Sequence, residues 1–300
     1  MWETKTKRDR TFDIVNLSLL VLLVAIILYP LYFTVIASFS NPVEVMNGRV
    51  LVWIRDFTVE SYANVFRNDE IWTGYANTIF YTAVGTAYAL MLTIPCAYSM
   101  SRRGLKGKNA VMAFFVVTMY FSGGMIPSYL LIKNMQLIDT RWVLILPAGM
   151  SVYNMIVTRT FYQSNMPEEL YEAAKIDGAN EFTIFFRIAL PLSGAILAVM
   201  GLFYAVGQWN SYFSALMYIN DKALYPLQLV LRNILLLNQQ LQMDMTSMSA
   251  AQIKDVVKRA MMAETMKYAL IFISSLPILI LYPFVQKFFV QGVMIGSVKG

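Results

Sequence analysis

A polar stretch, Glu172-Ala173-Ala174-Lys175-Ile176-Asp177-Gly178-Ala179, interrupts a chain that consists mostly of long apolar segments. Pro167 and the acidic pair Glu168-Glu169 precede it. They favour a helix N-terminus, because proline fixes φ and carboxylates complement the helix dipole. Gly178 ends the helix, since glycine adopts the left-handed conformation at low cost. The pattern therefore predicts a short amphipathic helix that stops at a glycine turn.

A second helical pattern follows the glycine. It opens at Asn180 and runs until Pro191 closes it. In the first helix, Leu170, Ala173 and Ala174 are predicted to share one face. Because small alanines allow another protein to approach closely, we interpret residues 163–192 as a helix-turn-helix docking element, called the elbow below, and not as a catalytic one.

The elbow resembles the cytoplasmic coupling loop of binding-protein-dependent ABC import permeases. That signature is Glu-Ala-Ala, three residues, Gly, nine residues and Ile-x-Leu-Pro. The matching positions are Glu172, Ala173, Ala174, Gly178, Ile188, Leu190 and Pro191, and Asp177 and Ala179 match its fuller form. Flanking segments 137–140, 166–170 and 294–300 are similar to the shorter permease subunit of maltose, oligosaccharide and alginate importers. The likeness covers nearly the whole chain.

This resemblance implies an all-α membrane protein of the type I importer permease class. It would form half of the pathway for a sugar or oligosaccharide, in the inner membrane of a bacterial cell. The implied partners are a second, similar permease that completes a heterodimer, two ATPase subunits that grip one elbow each, and an external solute-binding protein. ATP and Mg²⁺ would be bound by the ATPases, and no cofactor is expected in this chain. An importer of amino acids or phosphate is the alternative, and a passive channel is a weaker one.

The composition independently indicates a membrane protein. Hydrophobic residues make up 58% of the 300 residues, charged residues only 14%, and the mean hydropathy is +0.54. The net charge of +6 fits basic cytoplasmic loops, and no basic tract interleaved with aromatics suggests nucleic acid. With no histidine and one cysteine, Cys96, the chain has no intrachain disulfide and no imidazole for a metal site or catalytic triad. No phosphate-loop motif is present, so the chain is predicted not to be an enzyme.

Six apolar spans are predicted, at about 14–39, 75–100, 110–132, 142–161, 193–219 and 267–290. The basic N-terminal segment 1–13 and the basic loop at 102–108 place both ends of the chain in the cytoplasm. We therefore expect one membrane domain, 14–290, followed by a cytoplasmic tail, 291–300. An outer loop at about 220–266 is predicted to hold a short helix within 244–264. Gly123, Gly124 and Pro127 indicate a kink in the third span.

Candidate substrate contacts lie in the outer half of the fifth span. They are Tyr204, Gln208, Trp209, Asn210, Tyr212 and Phe213. Amides pair with sugar hydroxyls and aromatic faces stack on pyranose rings, although an aromatic belt at the membrane interface would have the same composition. No Asp or Glu lies in the core of a predicted span, which argues against an ion-coupled carrier and an intramembrane enzyme.

Overall fold

The computed structural model describes residues 7–244, 266–283 and 286, and in this part of the chain the regular elements are all helical. The α-helices are α1 (Lys7–Ser38), α2 (Pro42–Met46), α3 (Glu60–Phe66), α4 (Asp69–Ser101), α5 (Lys108–Tyr120), α6 (Met125–Asn134), α7 (Val152–Asn165), α8 (Glu168–Ile176), α9 (Glu181–Ile184), α10 (Leu190–Leu192), α11 (Gly194–Trp209), α12 (Phe213–Tyr218), α13 (Leu227–Asp244) and α14 (Met266–Pro283). The predicted all-α fold class is confirmed.

Three of the described helices are long and apolar enough to cross a bilayer unbroken: α1, α4 and α14. Two further candidates are bent pairs. In one, α5 and α6 meet at 111°, and in the other the run Glu181–Leu192 meets α11 at 78°. The predicted fourth span matches neither a long helix nor a bent pair of this kind, because α7 contains only 14 residues. The six apolar regions are therefore present, but only three of them are single long helices.

The predicted third span, 110–132, is wrong as one kinked helix. The helix ends at Tyr120 and restarts at Met125 after a sharp turn. Gly124 makes this turn with a φ of +86°, a conformation that favours glycine. Pro127 lies in the first turn of α6, where a backbone N–H has no intrahelical partner to lose. The predicted interruption at Gly123-Gly124 is thus confirmed, and it is a break.

The predicted fourth span, 142–161, is also wrong as a continuous helix. A 3₁₀ turn at Arg141–Leu144 is followed by irregular backbone, and α7 begins only at Val152. Gly149 packs closely in the irregular part, where a Cβ atom would lie 2.5 Å from Cε1 of Tyr88. Ser151 then caps α7, because its Oγ accepts a hydrogen bond from the Asn154 N–H at 3.4 Å.

Residues 69–230 and 276–300 form one of two compact units, and α4 is its central helix. Helices α7 and α11 pack along α4. The buried positions of α4 recur every three or four residues, as expected for one helix face. They include Ile71, Gly74, Thr78, Tyr81, Gly85, Ala89, Ala97 and Met100. This face joins a core near the elbow, around Ile94 and Tyr162, to a second core around Tyr81 and Ile145.

The other unit, residues 1–68 and 231–275, contains α1, α2 and α3. The apolar side chains of α1 from Phe12 to Tyr32 are exposed on all sides of the helix. After α1 ends at Ser38, the chain makes the single turn of α2 and an irregular segment before α3.

The segment predicted as an outer loop, about 220–266, contains a helix that the sequence analysis did not predict, α13 (Leu227–Asp244). The helix predicted within 244–264 lies outside the described residues except for its first position. The predicted sixth span is confirmed as α14 up to Pro283. The remainder of that span, apart from residue 286, lies outside the described residues, as do the tail 291–300 and residues 1–6.

Candidate functional site

The first helix of the elbow has the predicted boundaries. Helix α8 begins after Pro167, which has a φ of −64°, and Gly178 follows it with a φ of +81°. The Gly178 N–H donates to the Lys175 carbonyl at 3.0 Å and the Ala179 N–H donates to the Ala174 carbonyl at 2.9 Å. This pair of bonds is a Schellman motif, which satisfies carbonyls at the helix end and reverses the chain.

The buried face of α8 differs from the predicted one. Tyr171 and Ala174 are buried, whereas Ala173 is exposed and not part of the packed face. The aromatic ring of Tyr171, one helical turn from Ala174, is the large side chain that this face inserts into the core. Ala173 instead lies on the exposed face beside Glu172 and Ile176, and Ile176 is 86% exposed. Of the predicted docking residues in α8, Glu172 and Ala173 therefore face solvent, whereas Ala174 is buried.

The second helix of the elbow begins as predicted but does not end as predicted. The Asn180 side chain caps it, because its Oδ1 accepts a hydrogen bond from the Thr183 N–H at 2.8 Å. Pro191 does not close the helix. A π-helical turn over Phe185–Ala189 comes directly before α10, and Pro191 lies within α10. The wider turn relieves the clash that a proline ring makes with the preceding turn of an α-helix.

The break comes two residues after the proline, at Ser193, where the chain bends by 78° into α11. The Ser193 side chain is fully buried. Its Oγ lies 2.9 Å from the hydroxyl of Tyr162 on α7 and also bonds to the Ala189 carbonyl. Since a serine hydroxyl has one proton, donation to Ala189 leaves its oxygen to accept from Tyr162. Ser193 thus fixes the bend between the elbow and α11 to a third helix.

Arg102, in the loop after α4, binds both helices of the elbow. Its guanidinium lies 3.6 Å from a Glu168 carboxylate oxygen and 3.9 Å from one of Glu181. Its Cζ also lies 3.5 Å from the centroid of the Tyr171 ring, which is cation–π geometry. The Arg102 side chain is only 12% exposed. We call Arg102, Glu168, Tyr171 and Glu181 the elbow clamp, because one cation holds three side chains from the two helices.

Two peripheral ion pairs extend the elbow clamp. Lys175 Nζ lies 2.9 Å from Glu181 Oε1, and Arg103 Nε lies 3.9 Å from Glu168 Oε2. The hydrogen bond from Lys175 lowers the pKa of Glu181, and the nearby charge of Arg102 acts in the same direction. Burial raises the pKa of Tyr171, although Arg102 opposes that effect. Glu181 is therefore ionised and Tyr171 is neutral at physiological pH.

Aromatic side chains pack the elbow against the core beneath the elbow clamp. Tyr98 of α4 makes an edge contact with Tyr162 at a centroid distance of 5.6 Å and lies 5.0 Å from Phe185. Arg159 of α7 donates from Nε to the Met100 carbonyl at 3.0 Å, near the end of α4. Helices α4, α7 and the elbow therefore form one packed core.

Three of the six predicted substrate-contact residues lie inside the helix packing. The Tyr204 hydroxyl is 2.6 Å from Thr93 Oγ1 and accepts from the Ser151 N–H at 3.2 Å. Gln208 Nε2 donates to the Leu144 carbonyl at 3.4 Å. Trp209 is buried and makes an edge contact with Tyr75. The structure thus places Tyr204, Gln208 and Trp209 in contacts between helices of this chain.

The other three, Asn210, Tyr212 and Phe213, surround a break that the predicted continuous fifth span lacks. Helix α11 ends at Trp209 and α12 begins at Phe213. Asn210 directly follows α11, and both its backbone N–H and its Nδ2 donate to the Val206 carbonyl, at 3.1 Å and 2.9 Å. Tyr212 and Phe213 are 42% and 54% exposed. A role of these residues in substrate contact stays a prediction.

Sequence reasoning did not find the roles of Arg102, Tyr98 and Ser193 in holding the elbow. Arg102 belongs to the basic loop that was interpreted only as a marker of topology. Its partners Glu168 and Glu181 are far away in sequence, and the sequence contains no signal for the pairing. In the part of the chain that the structure describes, no group of three or more His, Cys, Asp or Glu side chains is placed to hold a metal ion.

Comparison with known proteins assigns the family. The model of the family described as "Binding-protein-dependent transport system inner membrane component" matches residues 71–295. Protein LplC of Bacillus subtilis is 42% identical, covering 98% of this chain and 97% of LplC. The polygalacturonan/rhamnogalacturonan transport system permease protein YtcP of Bacillus subtilis is 38% identical, covering 98% of this chain and all of YtcP.

A solved structure agrees with this assignment. The crystal structure of a bacterial ABC transporter involved in the import of the acidic polysaccharide alginate contains a chain that is 30% identical. The alignment covers 96% of this chain and 100% of that chain, with a TM-score of 0.84. The sequence signature, the helical fold and these matches lead to one conclusion: the chain belongs to the family of binding-protein-dependent transport system inner membrane components.

Proposed function

We propose that this chain forms half of the translocation pathway of an ATP-driven importer for a sugar or oligosaccharide. An external solute-binding protein delivers the substrate, and cytoplasmic ATPases drive transport through the elbow. The observation that carries the proposal is the construction of the elbow. It is a reversed helix pair fixed to α4 by Arg102, with the exposed surface of Glu172, Ala173 and Ile176 facing solvent.

The names of the relatives support a carbohydrate substrate. YtcP is named for polygalacturonan and rhamnogalacturonan, and the AraQ permease of Halalkalibacterium halodurans, 27% identical over 92% of this chain, is named for arabinooligosaccharides. The structural neighbour belongs to an ABC transporter that is described as involved in the import of alginate. These are all carbohydrates of more than one sugar unit, so an oligosaccharide is the substrate class that we propose.

Coupling requires that a force on the elbow reaches the membrane helices without being absorbed. The elbow meets this requirement because its two helices are joined by the Schellman turn at Gly178 and held by Arg102. The second helix continues through Ser193 into α11, which carries Asn210 at its far end. A displacement by the ATPases would thus move α11 as a rigid element, which is how alternating access is commonly produced.

The proposed assembly follows from this role. One membrane domain, 14–290, has both chain ends in the cytoplasm, with the coupling loop at about 163–192 inside and the loop at about 220–266 outside. A second permease completes the pathway, and two ATPase subunits bind ATP and Mg²⁺. Asn210, Tyr212 and Phe213 are the proposed substrate contacts in this chain, because they are accessible at the break after α11.

The test is sugar uptake by the complete transporter in proteoliposomes, after purification through a tag on the C-terminus of this chain. A second permease and an ATPase should copurify. Glu172→Lys should leave membrane insertion intact and uncouple ATP hydrolysis from uptake, because it reverses a charge on the exposed face of α8. The matched control is Glu60→Lys in α3, an exposed charge reversal far from the elbow in sequence. Uptake by Glu172→Lys at the rate of the control would refute the coupling role.

A further inference from the structure

The segment between α1 and α3 is closed at its base by hydrogen bonds. The Asn41 N–H donates to the Arg55 carbonyl at 3.0 Å, and the Thr58 N–H donates to the Phe39 carbonyl at 2.9 Å. The Arg55 N–H donates to Ser40 Oγ at 3.1 Å. The segment from Ser40 to Thr58, which includes α2, is therefore closed at the end of α1, and we call its part after α2, residues 47–57, the return loop.

The return loop does not extend away from α1 but runs back along it. The Tyr29 hydroxyl donates to the Leu51 carbonyl at 3.0 Å, and the Tyr32 hydroxyl donates to the Val52 carbonyl. Tyr29 precedes Ser38, the last residue of α1, by nine residues. At 1.5 Å per residue, the contact lies about 13 Å back from the helix end.

The distance of the contact from the start of the apolar part of α1 places it near one boundary of the bilayer. The apolar part of α1 begins at Ile14. Measured from there, Tyr29 and Tyr32 lie about 22 Å and about 27 Å along the helix, and a hydrocarbon core is about 30 Å thick. Leu51 and Val52 are thus held beside α1 within about 8 Å of the far hydrocarbon boundary, next to the headgroups. Tyrosines are typical of this depth because their hydroxyls reach polar partners.

The side chains of the return loop fit this position. Three consecutive apolar residues are exposed, namely Leu51 at 59%, Val52 at 69% and Trp53 at 75%. Arg49 and Arg55, on either side of them, are exposed as well, and Arg49 Nη1 lies 3.0 Å from Glu44 Oε1. A tryptophan between aliphatic side chains, with cations nearby, is the composition of a segment at the lipid headgroups, where phosphates are available.

We propose that the return loop is a membrane-binding surface that inserts Leu51, Val52 and Trp53 into the lipid leaflet at the Ser38 end of α1. In the topology proposed above this is the outer leaflet. The tyrosine bonds hold the loop against the part of α1 whose apolar side chains are exposed, so the surroundings of α1 at this depth are also those of the loop. Tyr29 and Tyr32 supply internal partners for the Leu51 and Val52 carbonyls, and the other backbone groups of the loop need the headgroup region, where water is available. The loop is also continuous with the exposed apolar surface of α1.

The test uses nitroxide labels, for which this chain is well suited because Cys96 is its one cysteine. In a Cys96→Ala background, Val52→Cys is labelled and the full chain is reconstituted into vesicles of phosphatidylethanolamine and phosphatidylglycerol. Collision of the label with oxygen, which concentrates in lipid, is compared with collision with a water-soluble nickel chelate. Leu22→Cys in the middle of α1 is the lipid control, and Glu60→Cys in α3 is the water control.

The ratio of oxygen to nickel collisions at Val52 should be several-fold higher than at Glu60 and approach that at Leu22. A ratio equal to that at Glu60 would overturn the proposal, because the loop would face water. Low collision with both reagents would also overturn it, in favour of a protein partner or burial. Tyr29→Phe with Tyr32→Phe keeps the rings and removes both donors. In that variant the oxygen-to-nickel ratio at Val52 should fall, and an unchanged ratio would refute the role of the tyrosines.

Discussion

The guanidinium of Arg102 stacks on the Tyr171 ring at 3.5 Å while its nitrogens face the carboxylates of Glu168 and Glu181. One side chain in the loop after α4 therefore contacts both helices of the elbow. A cation–π contact at a mostly buried site is worth about 1–2 kcal/mol, and the two carboxylates, at 3.6 Å and 3.9 Å, add a smaller Coulomb attraction without hydrogen bonds. The position of the elbow thus depends on a residue outside it.

Arg102→Ala should destabilise the elbow by about 2 kcal/mol, since it removes the stacked cation and leaves two carboxylates without it. The measurement is the rate of proteolysis within residues 163–192 in detergent, together with the midpoint of thermal denaturation. Arg103→Ala is the matched control. The Arg103 side chain is 82% exposed, so its loss should change stability by less than about 1 kcal/mol. Equal effects of the two substitutions would contradict the elbow clamp.

Gly178→Ala should destabilise the turn of the elbow by about 1 kcal/mol, because alanine disfavours a φ of +81°. No atom lies within 4 Å of the position of the added Cβ, so the effect arises from backbone conformation and not from a clash. Gly178→Asn should cost less, since asparagine tolerates the left-handed region. Thermal denaturation of both variants tests this order. If asparagine were as costly as alanine, strain would not be the cause.

Gly149→Ala should cost more stability than Gly85→Ala. A Cβ at Gly149 would lie 2.5 Å from the Tyr88 ring, which packing holds in place. A Cβ at Gly85 would lie 2.6 Å from Gln208 Nε2, the end of a flexible side chain that can move away. We expect about 2 kcal/mol for Gly149→Ala and about 1 kcal/mol for Gly85→Ala. Gln208→Ala should restore much of the loss at Gly85 and none of the loss at Gly149, as judged by the denaturation midpoint.

Ser193→Ala should destabilise the bend by about 1–2 kcal/mol, because it leaves the buried Tyr162 hydroxyl without this partner. The double variant with Tyr162→Phe should be less destabilised than the sum of the single changes, since both polar groups are then absent. A double-mutant cycle on the denaturation midpoint measures this coupling. Strict additivity would show that the 2.9 Å contact contributes nothing.

The ion pair between Lys175 and Glu181 should make the elbow sensitive to acid. The pKa of Glu181 is lowered, so its contribution is fully present above the ordinary value of 4.5 and is lost as pH falls through the lowered pKa. Both side chains are about half exposed, so the effect is small. Proteolysis of the elbow should accelerate below pH 4.5 in the parent, with a smaller acceleration in Lys175→Gln. Identical pH profiles would contradict the assignment.

The elbow shows what the sequence can and cannot predict. The stop at Gly178 and the start at Asn180 were predictable because each depends on local chemistry, a left-handed glycine and a side-chain cap. The end at Pro191 was predicted wrongly, because a π-helical turn leaves no sequence signal that separates it from an α-helix. Arg102 was missed because its contacts join residues that are 66 to 79 positions apart in the sequence.

The same distinction holds for the membrane helices. Apolar length located the long regions, but it did not show that the third, fourth and fifth are interrupted. At Gly124 the interruption was visible as a glycine pair. At Asn210 no glycine or proline marks the interruption between α11 and α12, so the sequence has no comparable signal there.

The 78° bend at Ser193 has a mechanical consequence. Because the second elbow helix and α11 are nearly perpendicular, a force along the axis of one is not a force along the axis of the other. A push along the axis of the second elbow helix reaches α11 almost entirely as a sideways thrust, with only a small component along its length. Helix α11 would thus tilt against the helices beside it and not shift along its own axis. In the importer proposed above, a push from the ATPases would therefore displace the Asn210 end of α11 sideways and not in depth.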